Sequence, residues 1–286
     1  MNKKINTMGN KYNFAYFDEG SKQEIRRAIL KAIAIPGYQV PFASREMPIG
    51  RGWGTGGLQL TLSLIGRDDV LKVIDQGSDE SVNAVSIKKL ITKTTAVAVT
   101  DETTEATLIQ SRHRIPEIPL TADQILVLQV PIPEPLRAVE PSEYVTKRHH
   151  GEKNYTGAWL MLFEQIVNYG GMSTGADHPV LVNNRYVMAP SPIPRFDNPK
   201  LHHNEALILL GAGREKKVYA VPPYTDVTSL AFDDYPFQPE RFSDKQCRRC
   251  GSSGVFLDEF IDETSGERHH QCNDSSYCLG ILNGGK

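Results

Sequence analysis

The chain has 286 residues, of which 40% are hydrophobic and 23% charged, with a formal net charge of −2. That length holds one large domain or two smaller ones, and the apolar fraction suffices for a substantial core. The balanced charge gives no electrostatic case for binding nucleic acid or an anionic membrane, and no apolar run is long enough to span a bilayer. The first residues, Met1 to Thr7, lead into no apolar stretch of the signal-peptide kind, which points to the cytoplasm.

Along the chain, Ser21-Lys22-Gln23-Glu24 has the form of a capping box. Ile25, Ala28, Ile29, Ala32 and Ile33 then recur at helical spacing, and Pro36-Gly37 ends that helix. A glycine-dense stretch, Gly50 to Gly57, leads into Leu58, Leu60, Leu62 and Leu64. These alternate with Gln59, Thr61 and Ser63 and predict a half-buried strand. A helix is predicted over 83–92, with strands over 94–100, 105–110 and 125–130. Pro131, Pro133 and Pro135 break the pattern, and 136–176 reads as an insertion whose Trp159, Leu160, Phe163, Ile166 and Val167 line one helix face. Strand patterns resume at 179–188, with a hairpin turn near Asn183-Asn184, and again at 205–210 and 217–221. The expected fold class is mixed α/β. A mixed-sheet core is formed by 1–135 and 177–240, the insertion is a candidate partner-docking element, and 241–286 is a small cysteine metal-binding module.

All four cysteines lie in that last segment, spaced Cys247-x2-Cys250-x21-Cys272-x5-Cys278. In a chain without an export signal this pattern points to a reducing compartment and a metal rather than disulfides. Four thiolates hold tetrahedral zinc or an iron–sulfur cluster, and spacing alone leaves both open. The spacing is not the Cys-x3-Cys-x2-Cys of most radical enzymes that use S-adenosylmethionine. Gly52, Gly54 and Gly57 satisfy G-x-G-x-x-G, yet the strand expected after them does not fit a dinucleotide site. Such a loop can offer N–H groups to an anion, or simply turn tightly. Ser111-Arg112-His113-Arg114 gathers two guanidinium groups and an imidazole after a strand, which suits a phosphate or phosphonate, or else a solvated strand end. The pairs His149-His150, His202-His203 and His269-His270 read as surface residues. Gly37, on physical grounds, needs no role beyond stopping a helix.

Taken together, four stretches and the cysteine tail carry a resemblance. The stretches are Ala32-Ile33-Ala34-Ile35-Pro36-Gly37-Tyr38-Gln39-Val40-Pro41-Phe42, Gly52-Trp53-Gly54-Thr55-Gly56-Gly57, Arg112-His113-Arg114-Ile115-Pro116-Glu117 and Pro190-Ser191-Pro192-Ile193-Pro194. With them the chain resembles the PhnJ family, the catalytic subunit of bacterial carbon–phosphorus lyase, from about residue 12 to about 280. The resemblance implies cleavage of the C–P bond of 5-phospho-α-D-ribose 1-methylphosphonate to methane and a ribose 1,2-cyclic phosphate 5-phosphate. It implies that Cys247, Cys250 and Cys272 ligate a [4Fe–4S] cluster whose open iron binds S-adenosyl-L-methionine, the source of a 5′-deoxyadenosyl radical. Gly37 then becomes a glycyl radical and Cys278 a thiyl radical, while Arg112, His113 and Gln129 hold the anionic substrate. In a protein handled in air, zinc on all four sulfurs, Cys278 included, is the expected resting form. The implied partners are the other core subunits, in a dimer of heterotetramers, and an ATP-binding-cassette ATPase. The rival expectation is a non-catalytic subunit with a structural zinc knuckle; a nucleic-acid-binding zinc ribbon is disfavoured by the charge balance.

Overall fold

The computed structural model of the chain describes residues 19–37, 40–41, 55–130, 140, 142–169, 180–188, 193, 195–212, 217–231 and 239–284. Helix α1 (Glu19–Ala34) buries Ile25, Ala28, Ile29 and Ala32, the predicted apolar face. It begins at Glu19, so Ser21 lies inside the first turn and the expected capping box is not used. Gly37 then adopts a φ of +77°, and its amide donates to the Ala220 carbonyl at 3.0 Å. Strand β1 is the pair Val40–Pro41.

Helix α2 (Thr55–Leu64) replaces the strand predicted at 58–64. Leu58 to Ser63 are all buried, including Gln59, Thr61 and Ser63. A helix covered on every side has no exposed face for periodicity to report, so the alternation of leucines was uninformative. The polar members find partners inside: the Ser63 hydroxyl donates to the Leu60 carbonyl at 2.7 Å, and that of Thr61 to the Gln110 side chain. The objection to a dinucleotide-type loop therefore fails in its premise, because a helix follows it; Gly52 and Gly54 lie outside the described residues.

Strand β2 (Val70–Asp75) was not anticipated. Helix α3 (Val82–Thr95) is capped by Ser81, whose hydroxyl accepts from the Ala84 amide at 3.1 Å, and it ends on Ala96 at φ 60°. Its last two residues and the Ala96 cap take the start of the strand expected over 94–100, of which β3 (Ala98–Val99) remains. β4 (Leu108–Arg112) and β5 (Ile125–Val130) follow. Within the insertion lie α4 (Glu143–Glu152), unforeseen, and α5 (Thr156–Tyr169), the helix that carries Trp159. β6 (Val180–Val182) and β7 (Tyr186–Met188) form the expected hairpin, with Asn183 and Asn184 both at φ 52° as a type I′ turn requires. Then come α6 (Asn198–Leu201), β8 (Leu207–Ala212), β9 (Lys217–Val221) and β10 (Val227–Ser229). The C-terminal segment contributes β11 (Leu257–Ile261), β12 (Arg268–Cys272) and α7 (Ser275–Leu282).

Seven strands form one mixed sheet in the order β1-β9-β8-β5-β4-β2-β3. β3, β2, β4, β5 and β8 run parallel, while β9 is antiparallel to β8 and β1 to β9. Both faces are covered, as parallel sheets require. Leu71, Val73, Val127 and Leu209 pack with residues of α1, α2 and α3. Ile109, Leu126, Leu128, Ile208 and Leu210 pack on the other side with Val180, Val182 and Val227 of the small sheet β10-β6-β7. The register sets Asp75, Arg112, Gln129 and Gly211 in one row at the carboxyl ends of β2, β4, β5 and β8.

The start of α2 closes over this row, and glycine makes the approach possible. A Cβ on Gly57 would lie 2.5 Å from the Cβ of Gln129, and one on Gly211 would lie 2.6 Å from the Gly57 nitrogen. Gly211→Ala is therefore expected to lower stability by about 1–3 kcal/mol, the cost of overpacking against backbone. An unchanged denaturant midpoint would show that the two elements do not meet so closely.

Candidate metal centre and strand-end site

The four cysteine sulfurs converge within 4.8 Å of one another. Cys247 Sγ lies 3.9 Å from Cys278 Sγ, and Cys250 Sγ lies 3.5 Å from Cys272 Sγ. A tetrahedral ion with bonds of about 2.3 Å spaces its sulfurs about 3.8 Å apart, so the two shortest separations are close to those around a single zinc-sized ion. A four-iron cluster takes each thiolate to a different iron and spreads them wider. The all-thiolate donor set suits either, but the spacing suits one ion.

Local chemistry explains the convergence. The Cys247 carbonyl accepts from the Gly251 amide at 2.9 Å, closing a tight turn in which Gly251 has a φ of +76°. That turn brings Cys250 back beside Cys247. The β11–β12 hairpin sets Cys272 opposite Leu257, and Asp274 then caps α7, placing Cys278 in its first turn. Cys247, Cys272 and Cys278 are buried with Val255 and Leu257 in a small core of their own. Burial raises the Cys247 thiol, but the amides of Cys250, Cys272 and Arg249 outweigh it and bring the group down to about 6. Cys278 is pushed up to about 12 by burial and by the neighbouring sulfurs of Cys250 and Cys247, and Cys272 is raised further for the same reasons.

At the strand ends, Arg112 is not solvated. Its Nε and Nη2 donate to the two carboxylate oxygens of Asp75 at 2.7 and 2.5 Å, and Asp75 is 1% exposed. Two of the five guanidinium donors are thus committed within the protein. His113 sits at φ +73° with Nε2 4.0 Å from Asp75 Oδ1. Burial, then the Arg112 charge, hold its imidazole below the usual histidine range against the pull of Asp75, so it is neutral at pH 7. Gln129 is buried beside Arg112 in the register and beneath Gly57. Asp75 is the residue the sequence reading missed. Its signal was slight: one carboxylate closing the apolar run Val70–Asp75.

The cysteine segment docks on the loops that leave these same strands. The Gln76 amide donates to the Arg112 carbonyl at 3.1 Å, and the next residue, Gly77, accepts the Ser275 amide at 3.3 Å. The Ser276 hydroxyl donates to the Asp101 carbonyl at 3.4 Å; that carbonyl also takes the ammonium of Lys72, a fully buried residue of β2 paired with Asp79 at 3.3 Å. The Glu117 amide donates to Asp274 at 3.2 Å. The cysteines, Arg112 and His113 therefore belong to one end of the sheet. Gly37 does not join them. It lies against Val182 and β9, and β8 and β5 stand between β9 and β4, about 14 Å in strand spacings.

Of the histidine pairs, His269 and His270 are half-buried rather than surface residues, and the ring nitrogens of His202 and His203 converge with the Asp226 carboxylate within 4.8 Å, which opposite strand faces would not give. His202 and His203 are exposed beside Asp226, but the His202 Nδ1 accepts the Val227 amide at 3.1 Å and His203 Nε2 bonds Asp226 at 2.5 Å, which makes them a corner fastening. No helix among the described residues is long and apolar enough to cross a membrane.

Metal loading must expel the protons of Cys272 and Cys278, while Cys247 is ionised above about 6 and takes up a proton as the pH falls through that value. Zinc affinity is therefore expected to rise roughly 100-fold per pH unit or more between pH 6 and 8. Competition with a chromophoric chelator measures it, and a slope of one proton or less would contradict this electrostatic picture.

With this geometry in hand, comparison with known proteins is specific. The family model described as phosphonate metabolism protein PhnJ matches residues 10–283. Alpha-D-ribose 1-methylphosphonate 5-phosphate C-P-lyase of Rhizobium meliloti (strain 1021) is 58% identical over 267 residues, covering 93% of this chain and 90% of the relative. Its Escherichia coli (strain K12) counterpart is 57% identical over 267 residues, covering 93% and 95%. The cysteine centre and the strand-end row thus sit in a chain that belongs to the PhnJ family of phosphonate metabolism proteins.

Proposed function

We propose that the protein is a carbon–phosphorus lyase acting on 5-phospho-α-D-ribose 1-methylphosphonate and forming methane and the ribose 1,2-cyclic phosphate 5-phosphate. The observation that carries this reading is identity of 57–58% to C–P lyases over 93% of the chain. A four-thiolate centre seated on strand ends that hold Arg112 and His113 supports it. Heterolysis of an unactivated C–P bond would expel a methyl carbanion, which no ordinary acid–base site stabilises; a radical route avoids that charge.

Cys247, Cys250 and Cys272 would hold a [4Fe–4S] cluster with one iron left for S-adenosylmethionine, and that pair, when bound, supplies one-electron chemistry. Gly37 gives up its α-hydrogen to the radical that pair would supply. The resulting glycyl radical takes the thiol hydrogen of Cys278 once the assembly brings the two together, since this structure holds Gly37 several strands away. The thiyl sulfur bonds phosphorus as the C–P bond breaks, and the methyl radical takes the α-hydrogen of Gly37, giving methane and restoring the glycyl radical. The ribose 2-hydroxyl then displaces Cys278 to close the cyclic phosphate. Arg112, oriented by Asp75, and His113 hold the anionic groups, and Gln129, buried beneath Gly57, joins them only when the start of α2 lifts.

The proposal includes a cytoplasmic assembly with other core subunits and an ATP-binding-cassette ATPase, and the division of the chain near residue 240. The insertion helix supports a docking role: Leu160, Met161, Phe163 and Val167 are exposed on α5. A second reading, a structural zinc knuckle in a non-catalytic subunit, is favoured by the sulfur spacing alone.

The test is anaerobic reconstitution with iron and sulfide, together with the partner subunits, followed by reduction. Methane is expected from the parent and from neither Cys272→Ala nor Cys278→Ala. Gly37 needs a spectroscopic readout, because Gly37→Ala strains the fold by itself: φ is +77° and a Cβ would meet the Val182 side chain at 2.7 Å. An electron-spin signal that narrows with α-deuterated glycine assigns the radical. Zinc that iron cannot replace, with no methane, would favour the knuckle.

A further inference from the structure

Asp274 makes two bonds to two different parts of the chain. Its Oδ1 accepts the Tyr277 amide at 3.0 Å and caps α7, the helix that carries Cys278. Its Oδ2 accepts the Glu117 amide at 3.2 Å, from the loop that begins at His113 directly after β4. The residue is 8% exposed, so both bonds are shielded from water. An ionised carboxylate is acceptor-only and serves two donors at once; few other side chains of that length do so.

The loop that Asp274 grips is itself held to the core. Glu117 pairs with Lys200 at 2.9 Å and with Arg114 at 3.6 Å, and Arg114 pairs with the fully buried Asp197 at 3.1 Å. Asp197 also accepts the Ile115 amide at 3.2 Å. Across the junction, Arg114 stacks 3.7 Å over the Phe256 ring, and the Phe256 amide approaches Glu117 Oε1 at 3.4 Å. The two cations and two carboxylates balance, so these pairs tie the loop to the core without leaving a charge among them uncompensated.

We propose that Asp274 is a positioning residue, fixing Cys278 relative to Arg112 and His113 by bonding the capped end of α7 to the 113–117 loop. The proposal rests on the reading that Cys278 reacts with a substrate held at the strand ends. The four sulfur ligands lie within 247–278, so metal capture and docking of the helix are separable. Asp274 acts on the second.

Asp274→Ser separates the two bonds, because serine is an equally good N-cap but has one short hydroxyl and cannot also reach Glu117. Asp274→Asn is the second variant: its amide offers one acceptor, and turns an NH2 toward the other amide. In the full chain loaded with zinc, Asp274→Ser is expected to keep its zinc content. Amide exchange at 115–118 and 274–279 should quicken about 10- to 100-fold, the loss of one hydrogen bond to a charged group, with β4, β5 and β8 unchanged. In the assembled, reconstituted complex kcat for methane should fall at least tenfold with KM unchanged, while S-adenosylmethionine cleavage continues. Asp274→Asn should behave in the same way.

Unchanged exchange at 115–118, or unchanged kcat in both variants, overturns the proposal. So does loss of zinc from both, since Asp274 would then build the centre rather than place it. A parent complex that forms no methane would refute the functional reading, and the exchange measurement would still decide whether the contact holds the helix.

Discussion

Asp75 and Arg112 face each other across β2 and β4, bonded through both carboxylate oxygens, with Asp75 buried and Arg112 mostly so. A charged pair at the open end of a parallel sheet creates a demand that the sheet itself cannot meet, because buried charges need shielding and their neighbours need partners. Two elements meet it from different directions. The start of α2 descends on β5 and β8, which is possible because both Gly57 and Gly211 lack side chains. The cysteine segment covers the loops after β2 and β4, fastened at Gly77, Asp101 and Glu117. Open α/β sheets generally place ligands at this end, and here the cover brings a thiolate centre with it.

The two charged regions follow different logic. At the strand ends opposite charges are matched one to one, and His113 is kept neutral by burial and by Arg112. In the cysteine centre like groups are crowded, and only Cys247 is held down by backbone amides while Cys272 and Cys278 are driven up. A cation resolves that crowding, so binding energy and folding energy of the segment are the same quantity. Its own apolar core is small, with Val255 and Leu257 as its buried aliphatic residues.

How far the sequence was legible depends on whether a residue's environment is local. β5 and β9 were readable to the residue, and the Asn183-Asn184 hairpin followed from turn chemistry, because each is set by its own residues. The four cysteines were readable because ligand type and spacing carry the chemistry with them. α2 was misread since Gln59, Thr61 and Ser63 are buried by distant strands, which no pattern within 55–64 can register. β2 was missed because Lys72 interrupts it, and the partners that allow its burial, Asp79 and Asp101, lie further along the chain. The pairing of Arg112 with Asp75 was equally hidden, since parallel register between β2 and β4 is a tertiary fact.

The chain order of these parts has a kinetic consequence. The central pairing of the sheet joins Ile125–Val130 to Leu207–Ala212, a long loop to close and hence a slow step. The cysteine centre closes within 247–278, which is local and fast, yet leaves the ribosome after everything it docks on. During synthesis the acidic and basic strand ends stay wet until both the sheet and the late-emerging cysteine segment are in place. Pairing of β5 with β8, rather than closure of the cysteine segment, therefore sets when the strand ends are covered.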